Sequence, residues 1–137
     1  MKQGKTRLTE NHRRSLTSAL VMVEQMLIEV ADFMIDKKNA CSFEIKDDIS
    51  IEDKNHNLKI TGEALEQICK LAEKYETNKS HQSLRKIINA KKTRIWEILS
   101  DMRSKKQKGF GEFPKELVKE YDNDIDSLMI ITDNIKF

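Results

Sequence analysis

Apolar residues recur at helical spacing through the first third of the chain, and few folds accommodate that pattern. The main row is Leu16, Leu20, Val23, Leu27, Val30 and Met34, widened by Ala19, Met26 and Phe33. Steps of three and four residues place side chains on one face of an α-helix. Thr9, just before the row, is a residue type that caps helix N-termini well. The pattern therefore predicts a helix over residues 9–36, which would be about 40 Å long.

The same predicted helix carries a second apolar stripe. Val21, Ile28 and Ile35 follow one another at intervals of seven residues and lie well round the helix from the main row. A helix that is apolar on two sides either sits between several neighbours or offers one side to a partner. Val21, Ile28 and Ile35 are therefore the candidate interface of this protein.

Three further helices are predicted, over residues 61–76, 83–106 and 114–136. Thr61 is a suitable N-cap for the second helix, and Pro114 fits the first turn of the fourth, where its missing N–H does no harm. Four amphipathic segments without internal repeats predict an all-α, four-helix up-and-down bundle. A chain of 137 residues is expected to form a single domain, here residues 1–137.

Residues 37–60 give the least decisive pattern. Short alternations of apolar and polar residues, such as Phe43 with Ile45 and Leu58 with Ile60, are typical of strands. We expect a long irregular connection between helices one and two that covers one end of the bundle, with a pair of short β-strands or a helical turn as the alternatives.

Composition excludes several classes of protein. Four glycines, one proline and 35% charged residues favour a helical protein over a β-sandwich or a disordered chain. No segment is long and apolar enough to span a bilayer, so no membrane partner is expected. Cys41 and Cys69 form no C-x-x-C motif. Two such cysteines indicate reduced thiols in a cytoplasmic protein.

Charge is distributed in blocks along the second half of the chain. Residues 80–109 hold nine basic and two acidic residues, whereas residues 110–137 hold seven acidic and three basic ones. On a helical wheel, Arg85, Lys92, Trp96 and Arg103 share one stripe of helix three. Cations around an aromatic ring suit a nucleic-acid backbone and base. The alternative is that these cations pair with the acidic fourth helix.

The segment Lys108-Gly109-Phe110-Gly111 begins like the RNP1 motif of RNA-binding proteins. The similarity stops at Glu112, which stands where the motif requires phenylalanine. Pro114 would also disrupt a central strand. We therefore interpret this segment as the joint between helices three and four.

Residues 53–65 resemble an EF-hand calcium loop at Asp53, Asn55 and Asn57. Leu58 occupies the position of the invariant glycine, and Ala64 that of the bidentate glutamate. A polar turn leading into a helix explains the segment better, and no metal ligands are predicted.

Catalytic residues are not predicted. The three histidines, His12, His56 and His81, are scattered, and the chain has neither a phosphate-binding loop nor a nucleophile elbow. No cofactor is expected. The sequence thus predicts a non-enzymatic helical bundle that binds protein, either a second copy of itself or another chain. The alternative is a nucleic-acid-binding module that uses Arg85, Lys92, Trp96 and Arg103 together with the basic N-terminus, where residues 1–14 hold five basic and one acidic residue.

Overall fold

The computed structural model of the protein describes residues 6–36 and 38–136. Over these residues the chain is all-α and contains four α-helices: α1 (Glu10–Ile35), α2 (Ile51–Lys74), α3 (Leu84–Asp101) and α4 (Val118–Asp133). The predicted all-α, four-helix fold is confirmed. The chain divides into two compact units, Met1–Ser80 and His81–Phe137, called unit 1 and unit 2 below. The single domain expected from the chain length stays a prediction.

Helix α1 begins and ends within one residue of its predicted bounds. The Thr9 hydroxyl oxygen accepts a hydrogen bond from the His12 N–H at 3.1 Å. This bond satisfies one of the N–H groups that a helix leaves unpaired at its start. Glu10 adds a negative charge in the first turn, where the helix dipole favours it.

Helix α2 begins ten residues earlier than predicted. Its N-cap is Ser50, whose hydroxyl oxygen accepts a hydrogen bond from the Asp53 N–H at 3.1 Å. Thr61, predicted to be the N-cap, is buried inside the helix. Its hydroxyl donates to the Asn57 carbonyl at 2.6 Å. The predicted start was wrong because a threonine inside a helix can bond to the carbonyl one turn earlier instead of capping.

The connection between α1 and α2 is accordingly shorter than expected. Its described residues hold one isolated antiparallel bridge, between Asn39 and Glu44, and no strand. The Lys54 ammonium forms an ion pair with the Asp47 carboxylate and ties the connection to the first turn of α2. Residues 53–64 lie within α2, so they do not form the calcium loop that they resemble.

Helices α1 and α2 form an antiparallel hairpin in unit 1. They pack against each other, and the Arg7 guanidinium, just before α1, lies 3.6 Å from the Glu76 carboxylate, just after α2. Among the described residues, Ile68 of α2 is the only buried apolar residue. Half-buried apolar side chains extend the core of the hairpin on both helices; they are Leu20, Leu27 and Met34 on α1 and Leu65 and Leu71 on α2.

Helix α3 begins after Ser83, whose hydroxyl oxygen accepts a hydrogen bond from the Lys86 N–H at 3.3 Å. It ends at Asp101, five residues before the predicted end. The chain then continues through two short 3-10 turns, Ser104–Lys106 and Lys108–Phe110.

Helix α4 is shorter than predicted at both ends. A 3-10 turn, Lys115–Leu117, follows Pro114, and the α-helix runs over Val118–Asp133 instead of residues 114–136. Helices α3 and α4 form an antiparallel hairpin in unit 2. Lys92, in the middle of α3, contacts Asp133 at the end of α4, whereas Ser104, just after α3, contacts Asp122 near the start of α4.

Candidate functional site

The broad apolar face predicted for α1 divides into two rows. Leu20, Leu27 and Met34 are half-buried and belong to the hairpin core. The second row lies about 100° round the helix, because each member precedes a half-buried residue by one position. This row is exposed along most of its length; for example, 61% of Met26 is accessible. We call it the α1 seam, and its members are Leu16, Ala19, Val23, Met26, Val30 and Phe33.

From the sequence alone, the α1 seam and the half-buried row of α1 were placed on one apolar face. The seam can be recognised in the sequence as a row of its own, because its residues follow one another in alternating steps of three and four. Such a row covers a continuous stripe along a helix. The sequence does not show which of two adjacent rows packs against α2.

The predicted interface residues lie on another side of α1. They follow the α1 seam residues Ala19, Met26 and Phe33 by two positions, or about 200°. Val21 is half-buried, whereas Ile28 and Ile35 are 48% and 73% exposed. Helix α1 is therefore apolar and accessible on two sides of its contact with α2.

Unit 2 also exposes apolar side chains. On each helix they lie beside the half-buried row that faces the other helix, as the three-and-four spacing requires. They include Leu84, Ile87 and Ile98 on α3 and Leu128 and Ile131 on α4, with Met102, Leu117 and Ile135 in the segments that adjoin these helices. Both units thus present apolar helix surface.

The basic stripe predicted on helix three is partly occupied by α4, and its last member, Arg103, lies beyond the end of α3. The Lys92 ammonium lies 3.7 Å from the Asp133 carboxylate and donates to the Ile135 carbonyl at 3.1 Å. The Arg103 guanidinium donates to the Asp126 carboxylate at 2.9 Å. These two cations make the intramolecular pairs that the charge blocks predicted as the alternative. Trp96, on the same stripe, is 54% exposed. Arg85 is also exposed.

A group of polar contacts fastens the end of α3 to the start of α4. The Ser104 N–H donates to one oxygen of the Asp122 carboxylate at 2.8 Å, and its hydroxyl donates to the other at 2.7 Å. Close by, the Tyr121 hydroxyl donates to the Met102 carbonyl at 2.6 Å. We call the Met102–Tyr121, Arg103–Asp126 and Ser104–Asp122 contacts the α3–α4 clamp.

The α3–α4 clamp changes the acidity of Asp122. The backbone N–H of Ser104, followed by its hydroxyl, lowers the pKa of this carboxyl below its ordinary value by bonding to the charged form. The positive charges of Arg103 and Lys105 act in the same direction, and partial burial opposes them. The carboxylate therefore prefers its ionised form in the folded protein.

The segment that begins like RNP1 forms turns in the structure. Phe110 is 90% exposed, and Gly111 adopts a φ of 112°, which favours glycine. Phe113 packs instead on Tyr121, with 4.7 Å between ring centroids. Bases stack on RNP1 aromatics that a sheet displays side by side, and these residues are not arranged in that way.

Over residues 6–36 and 38–136, histidine, cysteine and acidic side chains form no cluster of three that could hold a metal ion. None of the helices in those ranges is both long and apolar enough to cross a bilayer.

Comparisons with protein-family models, with curated proteins and with solved structures find no match to this chain.

Proposed function

We propose that the protein works by binding protein through the exposed apolar faces of its helices, and that it is not an enzyme. The single observation that carries this proposal is the α1 seam. Its residues run from Leu16 to Phe33, about 25 Å along the helix. All but Leu16 are exposed.

Apolar surface of this kind is costly to leave in water. Each Å² of apolar area removed from water stabilises an assembly by roughly 25 cal/mol. Contiguous apolar patches on a protein surface commonly mark sites of interaction. Single exposed apolar residues need no explanation, but five on one stripe of one helix do. A protein partner that covers the α1 seam would remove this cost.

The predicted interface of Val21, Ile28 and Ile35 belongs to the same proposal. It gives α1 a second apolar side, of which Ile35 is the most accessible residue. A partner could cover this side together with, or instead of, the α1 seam.

A cytoplasmic location is part of the proposal. It is supported by Cys41 and Cys69, which are both exposed and free of disulfide bonds. Exposed thiols are oxidised or paired in secreted proteins more readily than in the reducing cytoplasm.

Nucleic-acid binding is the alternative function, and the observation in its favour is the exposed ring of Trp96 beside cations on α3. The pairs that Lys92 and Arg103 form with α4 count against it, because a phosphate would have to compete with those carboxylates. Residues 1–5, which supply part of the predicted basic N-terminus, lie outside the described residues.

Site-specific photo-crosslinking tests protein binding. A photoreactive amino acid at Met26, in the α1 seam, is expected to trap a polypeptide in cells. The same probe at Ser18, which is exposed on another side of α1, is the matched control. Adducts at Met26 and not at Ser18 support the proposal. A third probe is placed at Ile35, on the second apolar side of α1. Equal labelling at Met26 and Ser18 contradicts the proposal, and so does the absence of a polypeptide adduct at both Met26 and Ile35.

Fluorescence of the single tryptophan tests the alternative. Short single-stranded and duplex oligonucleotides should quench Trp96 in a saturable way if they bind the basic stripe. Because binding releases counterions, the affinity should fall steeply as salt is raised. An unchanged signal at low salt would exclude the stripe as a nucleic-acid site.

A further inference from the structure

The α1 seam has the spacing of a coiled-coil interface. Alternating steps of three and four residues assign Leu16, Val23 and Val30 to position a of the heptad and Ala19, Met26 and Phe33 to position d. Side chains in these two positions interlock with those of a second helix that carries the same pattern. The seam is therefore matched to another long helix with an exposed heptad row.

The residue sizes along the seam fit an antiparallel copy of the same helix. Suppose that two α1 helices pack antiparallel with Val23 of one copy opposite Met26 of the other. Ala19 then lies opposite Val30 of the other copy, and Leu16 lies opposite Phe33. The smallest side chain thus meets a β-branched one, and the largest meets leucine. Every seam residue has a counterpart on the other copy, so the arrangement has the two-fold symmetry typical of homodimers.

Charge along α1 favours the same orientation. The start of the helix carries Arg13 and Arg14 against Glu10, whereas its last third carries Glu29 and Asp32 and is followed by Asp36 at the C-cap. An antiparallel pair places the basic start of one helix beside the acidic end of the other. It also opposes the two helix dipoles. A parallel pair would align charges of like sign at both ends.

The facing side chains of this arrangement avoid a repulsive contact. Ser15, Met22, Glu29 and Asp36 all occupy position g, which borders the seam. In the antiparallel register the g positions of the two copies face each other, so Glu29 would lie near Met22 of the second copy and not near the second Glu29. For the same reason, Asp36 would lie near Ser15. The acidic residues therefore do not oppose each other across the interface.

We propose that two copies of the chain associate through an antiparallel pair of α1 seams. This inference rests on the proposed function and names its partner as a second copy of the protein. The contacts are Leu16 with Phe33, Ala19 with Val30 and Val23 with Met26, each repeated by symmetry.

The mass of the full chain in solution gives the first test. Sedimentation equilibrium over a range of concentrations should show a monomer–dimer equilibrium. Met26→Glu should weaken association by about tenfold or more, since it places a charge at the centre of the seam. Ser18→Glu, on another side of α1, should leave it unchanged. Helicity measured by circular dichroism should be the same in both variants.

Cysteine crosslinking gives a second test that depends on orientation. In a background of Cys41→Ser and Cys69→Ser, the single variants Leu16→Cys and Phe33→Cys are prepared and mixed. In the antiparallel register the two Leu16 positions lie about 25 Å apart along the axis, whereas Leu16 of one copy faces Phe33 of the other. The mixture should form a disulfide-linked dimer, and neither variant alone should do so.

Three results would overturn the inference. A disulfide that Leu16→Cys forms with itself would indicate a parallel pair. A monomeric mass at every concentration would exclude a second copy. Loss of helicity in a monomeric Met26→Glu protein would show that the seam is covered within one chain. If the mass is monomeric but Met26 still crosslinks to another polypeptide in cells, the proposed function survives and only the identity of the partner is wrong.

Discussion

The two hairpins have the same topology but are fastened in different ways. In unit 1 the core of the hairpin consists of half-buried apolar side chains around Ile68. In unit 2 the polar contacts of the α3–α4 clamp hold one end and the Lys92–Asp133 pair lies near the other. Apolar packing stabilises a helix pair without fixing its register strongly, whereas directional hydrogen bonds fix which residues meet.

The largest expected effect is in unit 1. Ile68→Ala removes the one buried apolar side chain of the described residues and should lower the free energy of unfolding by about 2–3 kcal/mol. Denaturant unfolding followed by circular dichroism measures the loss. Ile60→Ala, which makes the same change at an exposed position of α2, is the control and should cost less than about 1 kcal/mol. Equal losses would mean that unit 1 has no localised core.

A smaller effect is expected from the α3–α4 clamp. Ser104→Ala removes the hydroxyl bond to Asp122 but keeps the backbone bond, so it should cost about 1 kcal/mol. The same unfolding experiment applies. Ser127→Ala, at an exposed site on α4, should be neutral or slightly stabilising because alanine favours helices. A clamp variant as costly as Ile68→Ala would remove the distinction between the two hairpins.

The clamp should also make the stability of unit 2 depend on pH. Because the folded state lowers the pKa of Asp122, its ionised form adds stability above the unfolded value of about 3.9. That stability is lost as the pH falls through the lower folded pKa. Thermal unfolding of the wild type and of Asp122→Asn should therefore differ more at pH 6 than near pH 2. Asp124→Asn is the control, and an equal change in its profile would contradict the assignment.

The smallest effect is expected at the Lys92–Asp133 pair. The Asp133 carboxylate is largely exposed, so a double-mutant cycle with Lys92→Ala and Asp133→Ala should give a coupling of about 0.2–1 kcal/mol. The coupling should decrease with salt. A cycle between Lys92 and Asp124 should give none. A coupling free energy larger than the loss of stability in Ser104→Ala would show that the Lys92–Asp133 pair, and not the α3–α4 clamp, contributes most to holding the two helices of unit 2 together.

Much of the fold could be predicted from local patterns. The spacing of apolar residues and the Thr9 cap gave the bounds of α1, because both act within one helix. The start of α2 was missed although Ser50, Glu52 and Asp53 form a normal helix start. The alternation of Leu58 with Ile60 suggested a strand, since a short apolar pattern fits either structure.

The candidate surfaces were harder to predict, because they depend on contacts between helices. Blocks of opposite charge indicated that cations of residues 80–109 pair with the fourth helix, and Lys92 and Arg103 do so. The partner of Ser104 could not be predicted, since Asp122 is one of several acidic residues in α4. The exposure of the α1 seam likewise depends on which side of α1 packs against α2.

The α3–α4 clamp has a consequence for the rate of folding. Ser104 and Asp122 are separated by 18 positions in the sequence, so their contact closes a short loop. Loop closure of this size takes well under a microsecond, and helical proteins with local contacts fold in microseconds to milliseconds. The joint between α3 and α4 can therefore form early, before the distant ends of the two helices meet. Substitutions in the clamp should then slow the formation of this hairpin, whereas substitutions near Lys92 and Asp133 should mainly speed its opening.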